Sequence, residues 1–309
     1  MALLKLENVG KRTNGKWTLW DINLEINSGE ILGVFGRSES GKTTLGRIVA
    51  GVDEPTNGAI FFHDPEFGTF HPSIALSTPA CAPDLTAYEN LEMFACMWGI
   101  PRRKRAKQIT FLLELLRLDE YRIARTNTLS AGAMKRLELA RALLADSPLV
   151  VIDGLIDSLD QDLLEKFWDY LLTLRREEMK SALILTSSSK IAEMCERIAV
   201  MHRGRLGFVG RPDDFKRVAG EDMVVLGDVG SPMVKKKIQE QFALIVREED
   251  GFLSFRVSNG ERMVGDLLSE FGGNLSCVYL KRPTLDDALD TMSGDKYTVV
   301  AGSGGLGVD

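Results

Sequence analysis

Gly36-Arg37-Ser38-Glu39-Ser40-Gly41-Lys42-Thr43 is the stretch on which the reading of this chain turns. It fits the pattern G-x-x-x-x-G-K-[ST], a loop whose backbone N–H groups surround phosphates. Gly41 lets the backbone approach closely, Lys42 reaches the outer phosphates, and the Thr43 hydroxyl binds Mg²⁺. The flanks support this reading. Residues 31–35 (Ile-Leu-Gly-Val-Phe) read as a buried strand, and Thr44 to Ala50 read as a helix. A loop between strand and helix ends at a helix N-terminus, which favours anions. The set predicted to bind nucleotide phosphates is Gly36, Arg37, Ser38, Glu39, Ser40, Gly41, Lys42, Thr43 and Thr44. Glu39 is unusual, because it puts a carboxylate at the loop tip where glycine is commoner.

The 309 residues suit one large or two modest domains. The net charge of −6 argues against a nucleic-acid partner. The four cysteines have no metal-ligand spacing and read as reduced thiols, and there are only three histidines, His63, His71 and His202. No signal peptide is visible, and no apolar run nears the ~18 residues of a membrane span. A membrane role is therefore expected to be peripheral.

Working outward, residues 3–9 and 18–26 alternate as edge strands do, with residues 11–17 as a turn. Trp17 in that turn could stack on a base or simply pack there. After the phosphate loop and helix come Pro55-Thr56-Asn57-Gly58 and then Asp84-Leu85-Thr86-Ala87-Tyr88-Glu89-Asn90-Leu91. This sequel resembles the ATP-binding subunits of ABC transporters. Residues 88–125 read as helical. They include five cations between Arg102 and Lys107, either a solvated helix start or a lipid-headgroup contact. Leu129-Ser130-Ala131-Gly132-Ala133 resembles the family signature with its third and fifth positions changed. The resemblance implies that Ser130 and Gly132 contact ATP held by an opposing subunit. Leu149 to Asp153 is similar to the Walker B strand, so Asp153 joins Thr43 as the expected Mg²⁺ pair. Residues 157–160 (Asp-Ser-Leu-Asp) look like the D-loop, placing Asp160 at a dimer interface.

Against that family pattern, three hydrolytic groups are missing. The Glu expected after Asp153 is Gly154, the expected Gln falls at Ser77, and no His lies between His71 and His202. Loss of a general base costs ~10²–10⁴-fold in rate. The family aromatic that stacks on adenine aligns near Thr13, leaving Trp17 as the local substitute. The resemblance thus implies an ATP- and Mg²⁺-binding subunit with a degenerate site. It would pair as a heterodimer with a competent ATPase subunit and work with transmembrane permease subunits at the cytoplasmic face of the membrane. A drug- or polysaccharide-exporter branch is suggested by Pro283-Thr284-Leu285-Asp286-Asp287. Alternatives are a non-hydrolysing regulatory module and an ATPase with a substitute acid such as Asp157.

The expected fold is α/β. It has a phosphate-loop NTPase core with a helical lobe (about 88–145) and an edge antiparallel β subdomain, together spanning 1–215. A small α+β module of split-βαβ, ferredoxin-like order follows over 216–294. It is read as strand 223–226, helix 232–242, strand 244–246, turn 248–251, strand 252–257, helix 262–271 and strand 276–280. Residues 295–309 read as a flexible tail.

Overall fold

The computed structural model describes residues 2–63, 70–78, 80–227, 236, 238–239, 246–249, 252–271, 275 and 277–293. One compact unit ends at Pro212 and a second begins at Asp213.

The first unit opens with β1 (Ala2–Thr13) and β2 (Lys16–Asn27), an antiparallel pair longer than the sequence suggests. The expected seven-residue turn shrinks to Asn14-Gly15, both with positive φ (51° and 78°). Asn-Gly is the favoured two-residue hairpin turn because both positions tolerate that conformation. Next come β3 (Ile31–Phe35), α1 (Lys42–Val49) and β4 (Asn57–Phe62). β4 pairs with β1, giving an antiparallel edge sheet of order β2-β1-β4.

A second sheet carries the site. It contains β3, β5 (Ser73–Ala75), β6 (Leu149–Asp153), β7 (Ser181–Thr186), β8 (Arg197–His202) and β9 (Arg205–Gly210) in the order β5-β6-β7-β3-β8-β9. All are parallel except β9. Every residue of β3, β6 and β7 is buried. That explains their unbroken apolar runs, since a parallel sheet is covered on both faces. Register aligns the carboxyl ends: Phe35 lies beside Thr186, and Asp153 beside Leu185. Everything that follows these three strands therefore emerges on one edge, where ligands bind in such sheets.

The stretch 88–125 is not one helix. α2 (Ala87–Met97) stops before Gly99, and α3 (Arg102–Leu115) starts after Pro101, which has no N–H to continue the ladder. The α2 start is a capping box, with Thr86 and Glu89 exchanging side-chain bonds. α4 (Ala131–Leu144) begins one turn earlier than its apolar pattern suggests, because Ser130 caps it. α5 (Gln161–Glu178) and α6 (Ser189–Met194) complete the unit. Asn90, fully buried, ties the 82–86 segment to α2: it accepts from the Ala82 N–H at 2.7 Å and donates to the Ala82, Leu85 and Thr86 carbonyls.

The second unit contains β10 (Asp222–Gly227), β11 (Arg247–Glu249), β12 (Phe252–Val257), α7 (Gly260–Phe271), β13 (Cys277–Lys281) and α8 (Leu285–Ser293). Its antiparallel sheet has the order β11-β12-β10-β13, the strand arrangement of a split-βαβ fold. Glu248 pairs with Leu253 and Glu249 with Phe252, so a strand stands where the sequence predicts a turn at residues 248–249. Most of the expected helix at 232–242 and the tail at 295–309 lie outside the described residues. Val224, Leu226, Leu253, Phe255, Leu267 and Phe271 form this unit's core.

The turn joining β8 to β9 fixes the phosphate loop from behind. The Gly204 N–H donates to the Ser40 carbonyl at 2.9 Å, and the Gly204 carbonyl accepts from Trp20 N–H at 2.8 Å. Gly204 has φ +78°, and a methyl group there would stand 2.5 Å from the Thr18 carbonyl oxygen. Gly204→Ala is expected to destabilise the protein by at least about 1 kcal/mol, from the left-handed backbone alone. Urea unfolding against wild type measures it, and an unchanged midpoint would show that the turn can shift freely.

Candidate functional site

The phosphate loop leaves β3 at Gly36 and turns into α1 at Gly41, whose φ is 105°. α1 has no side-chain cap and no acidic residue in its first turn. Its first N–H groups therefore have no internal acceptor and face the cleft as an anion site. Lys42 bends back over its own loop, donating to the Gly36 and Arg37 carbonyls at 2.6 and 2.7 Å. Burial lowers its pKa, while Asp153 and Asp157 pull the other way. Ser40 is buried, whereas Arg37, Ser38 and Glu39 are exposed at the tip. Glu39 has φ 64°, a left-handed conformation that suits glycine better.

Asp153 is 7% exposed at the end of β6. Burial holds its carboxyl above the usual range, opposed by a hydrogen bond from Thr43 and by the Lys42 charge, with Asp157 adding to the rise. A nearly buried carboxylate with one hydroxyl partner, open to a cleft, is a donor set suited to a divalent cation. Thr43 and Asp153 fit Mg²⁺ on that ground.

These groups surround a cleft of about 650 Å³. Its lining includes Ser38, Glu39, Gly41 to Thr44, Asp153, Gly154, and Trp17 as its one aromatic among the described residues. Trp17 is not free-standing: its ring centroid lies 4.7 Å from that of Trp20, and the Arg12 guanidinium sits 5.4 Å from it. No histidine or glutamine lines the cleft among the described residues. Gly154 has φ +66°, with nothing within 4 Å of where a side chain would begin. Ser77 does reach this neighbourhood, donating to the Asp153 carbonyl at 3.2 Å. Asp157, Thr186, Ser187 and Arg203 also line it. The strand-end alignment brings Thr186 and Arg203 in. Asp157 accepts from the Thr186 hydroxyl at 2.7 Å and the Ser187 N–H at 3.2 Å, so it braces the turn after β7.

The remaining candidates are elsewhere. Ser130 caps α4, accepting from Ala133 N–H at 3.1 Å. Gly132 is exposed on the same helix start. Asp160 caps α5, accepting from Leu163 N–H at 3.0 Å, and meets Arg117 at 3.4 Å. None of the three lines the cleft.

The comparisons agree with this geometry. The sequence model of the family described as ABC transporter matches residues 19–155. The trehalose/maltose import ATP-binding protein MalK of Thermococcus litoralis is 30% identical over 267 residues, 82% of this chain and 70% of its own length. The chain belongs to the ABC transporter ATP-binding family. It is also 27% identical to the Nod factor export ATP-binding protein I of Cupriavidus metallidurans, over 95% of this chain and 98% of that protein. ABC relatives of both transport directions are therefore similar to it. The solved dimeric structure of a bacterial ABC transporter cassette superimposes with a TM-score of 0.61 at 26% identity, covering 67% of this chain and 98% of that one. As an ABC ATP-binding subunit, the chain is of a type that binds ATP, dimerises and works with transmembrane permease subunits. No described helix is long and apolar enough to cross a membrane.

Two expectations follow for this ABC subunit. Glu39→Gly removes a left-handed non-glycine position and one negative charge from the cleft lining, so MgATP should bind roughly five-fold tighter at low salt, as for one exposed charge pair; isothermal titration reads it. The folded state holds the Asp153 proton more tightly than the unfolded chain does. Its stabilising contribution is complete in acid and is lost as pH rises through that raised range, leaving the ionised group a net cost at neutral pH. Asp153→Asn should therefore raise the melting temperature at pH 7 while abolishing any Mg²⁺-dependent rise.

Proposed function

We propose that this chain is the ATP-retaining subunit of an asymmetric pair of ATP-binding cassettes that drives an exporter. One observation carries the proposal. Gly154 follows Asp153 without a side chain, in open space, beside a cleft that has the groups to bind a nucleotide. In this reading the α1 N-terminus and Lys42 hold the phosphates, Trp17 lies against the base, and Thr43 and Asp153 hold Mg²⁺. The cation would supply charge neutralisation at the phosphates. What this chain's residues do not supply is a group that orients water and takes its proton. Asp157 is another acid of the cleft lining, but both of its oxygens already accept bonds from the turn after β7.

The exposed Ser130, Gly132 and Asp160 fit a head-to-tail arrangement in which they complete the site of a hydrolytically competent second subunit. Permease subunits would hold the pair at the inner face of the membrane. The exporter direction is supported by the Nod factor exporter's match over 95% of the chain, and by Pro283 to Asp287. A regulatory module that binds ATP without driving transport is the second reading, favoured by the same missing side chain.

The test is binding and turnover by the purified chain, with and without a competent partner cassette. Expected are tight MgATP binding, turnover at least ~10²-fold below that of the pair, and loss of the pair's turnover in Ser130→Ala of this chain. The lost cap costs about 1 kcal/mol, which melting measures separately. Binding without any effect on a partner would favour the regulatory module. Rapid turnover alone that disappears in Asp157→Asn would make Asp157 the substitute acid and overturn the proposal.

A further inference from the structure

Two hairpins in this chain turn in two residues with nearly the same backbone. Asn14-Gly15 joins β1 to β2 with φ 51° and 78°, and Arg203-Gly204 joins β8 to β9 with φ 47° and 78°. Thr13 with Lys16 closes the first, and His202 with Arg205 closes the second. A tight hairpin turn with positive φ at both central residues favours Asn, Asp or Gly at the first, because a longer side chain crowds its own backbone there. Asn14 obeys that preference and Arg203 does not. Packing does not offset the strain. Arg205, two residues on, lies over the Trp20 ring at 5.1 Å. Arg203 is exposed, and it makes no ion pair or side-chain hydrogen bond among the described residues.

The turn is held where that side chain can act. The Gly204 N–H donates to the Ser40 carbonyl at 2.9 Å, so Arg203 stands one residue from a bond to the phosphate loop. Arg203 and Lys42 are the two cations of the cleft lining among the described residues. Lys42 is already engaged with two carbonyls of its own loop. Glu39, Asp153 and Asp157 line the same space, and none of them pairs with Arg203. A guanidinium left unengaged in such a cleft is a planar fork matched to phosphate oxygens. A disfavoured conformation held by its surroundings, with no gain inside the chain, points to a ligand. We propose that Arg203 is a second phosphate-binding side chain of this cleft, meeting the nucleotide's phosphates from the turn between β8 and β9. This rests on the reading of the cleft as a nucleotide site, and it adds a residue that lies outside the loop motif.

Calorimetric titration of the full chain with MgATP tests it, with melting measured in parallel. Arg203→Asn installs the residue type that the turn favours, so the melting temperature should not fall. MgATP should still bind roughly ten-fold more weakly at low salt, the lower end for a charge-assisted hydrogen bond because the side chain is exposed. Arg203→Lys keeps the charge without the fork and should lose less. Inorganic tripolyphosphate, measured by displacement of a fluorescent ATP analogue, should weaken by the same factor, because the contact is to phosphate and not to base or ribose. Unchanged MgATP affinity in Arg203→Asn, beside a wild type that binds, would overturn this inference alone. So would a loss seen with MgATP and not with tripolyphosphate. A wild type that binds no MgATP would overturn the reading of the cleft, and this inference with it.

Discussion

A helix that starts without a cap leaves its first N–H groups without acceptors, and burying such a start is costly unless something else meets them. The phosphate loop before α1 is built around that condition. The loop cannot fold away from it, because the 203–204 turn holds Ser40 from behind and ties it to β2 through Trp20. The buried parallel strands β3, β6 and β7 fix where loop, Asp153 and Thr186 emerge. Edge sheet, central sheet and hairpin thus converge on one helix terminus.

The charges around that terminus are unbalanced by design of the cleft. Lys42 is half-spent on two carbonyls of its own loop, and three carboxylates, Glu39, Asp153 and Asp157, line the same space. Burial works against both the Lys42 cation and the Asp153 anion. A cation bound between Thr43 and Asp153, with phosphate against α1, would relieve both. Buried charges of this kind suit a site shaped for binding rather than for packing.

Much of this was legible in the residues because it depends on local pattern. The loop motif, the apolar runs of β3, β6 and β7, and the Thr86–Glu89 capping box are each contiguous signals. The errors came where register or spatial contact decides. The Asn14-Gly15 hairpin was hidden inside a longer polar stretch. Pro101 cut a helix whose composition stayed helical on both sides. Arg203 and Thr186 enter the cleft through strand alignment, which residue spacing alone does not give. The bracing of Ser187 by Asp157 is a contact across thirty residues of chain, visible only once β6 and β7 are adjacent.

The signature-like residues differ in what they say about a second subunit. Ser130 and Asp160 each cap a helix, and capping alone is worth about 1 kcal/mol. Their presence would be expected of a protein that never met a partner. Gly132 is different. It lies in the first turn of α4, exposed, with nothing within 4 Å of its missing side chain. No contact within the described chain requires glycine there, and in a helix it is roughly 0.5–1 kcal/mol worse than alanine. A bare, costly glycine beside an exposed helix start leaves room for close approach by something outside the chain. The weight of the head-to-tail reading therefore rests on Gly132, and Gly154 performs the complementary role at the chain's own cleft. In that reading one glycine keeps a surface open, while the other would leave the water position without a base.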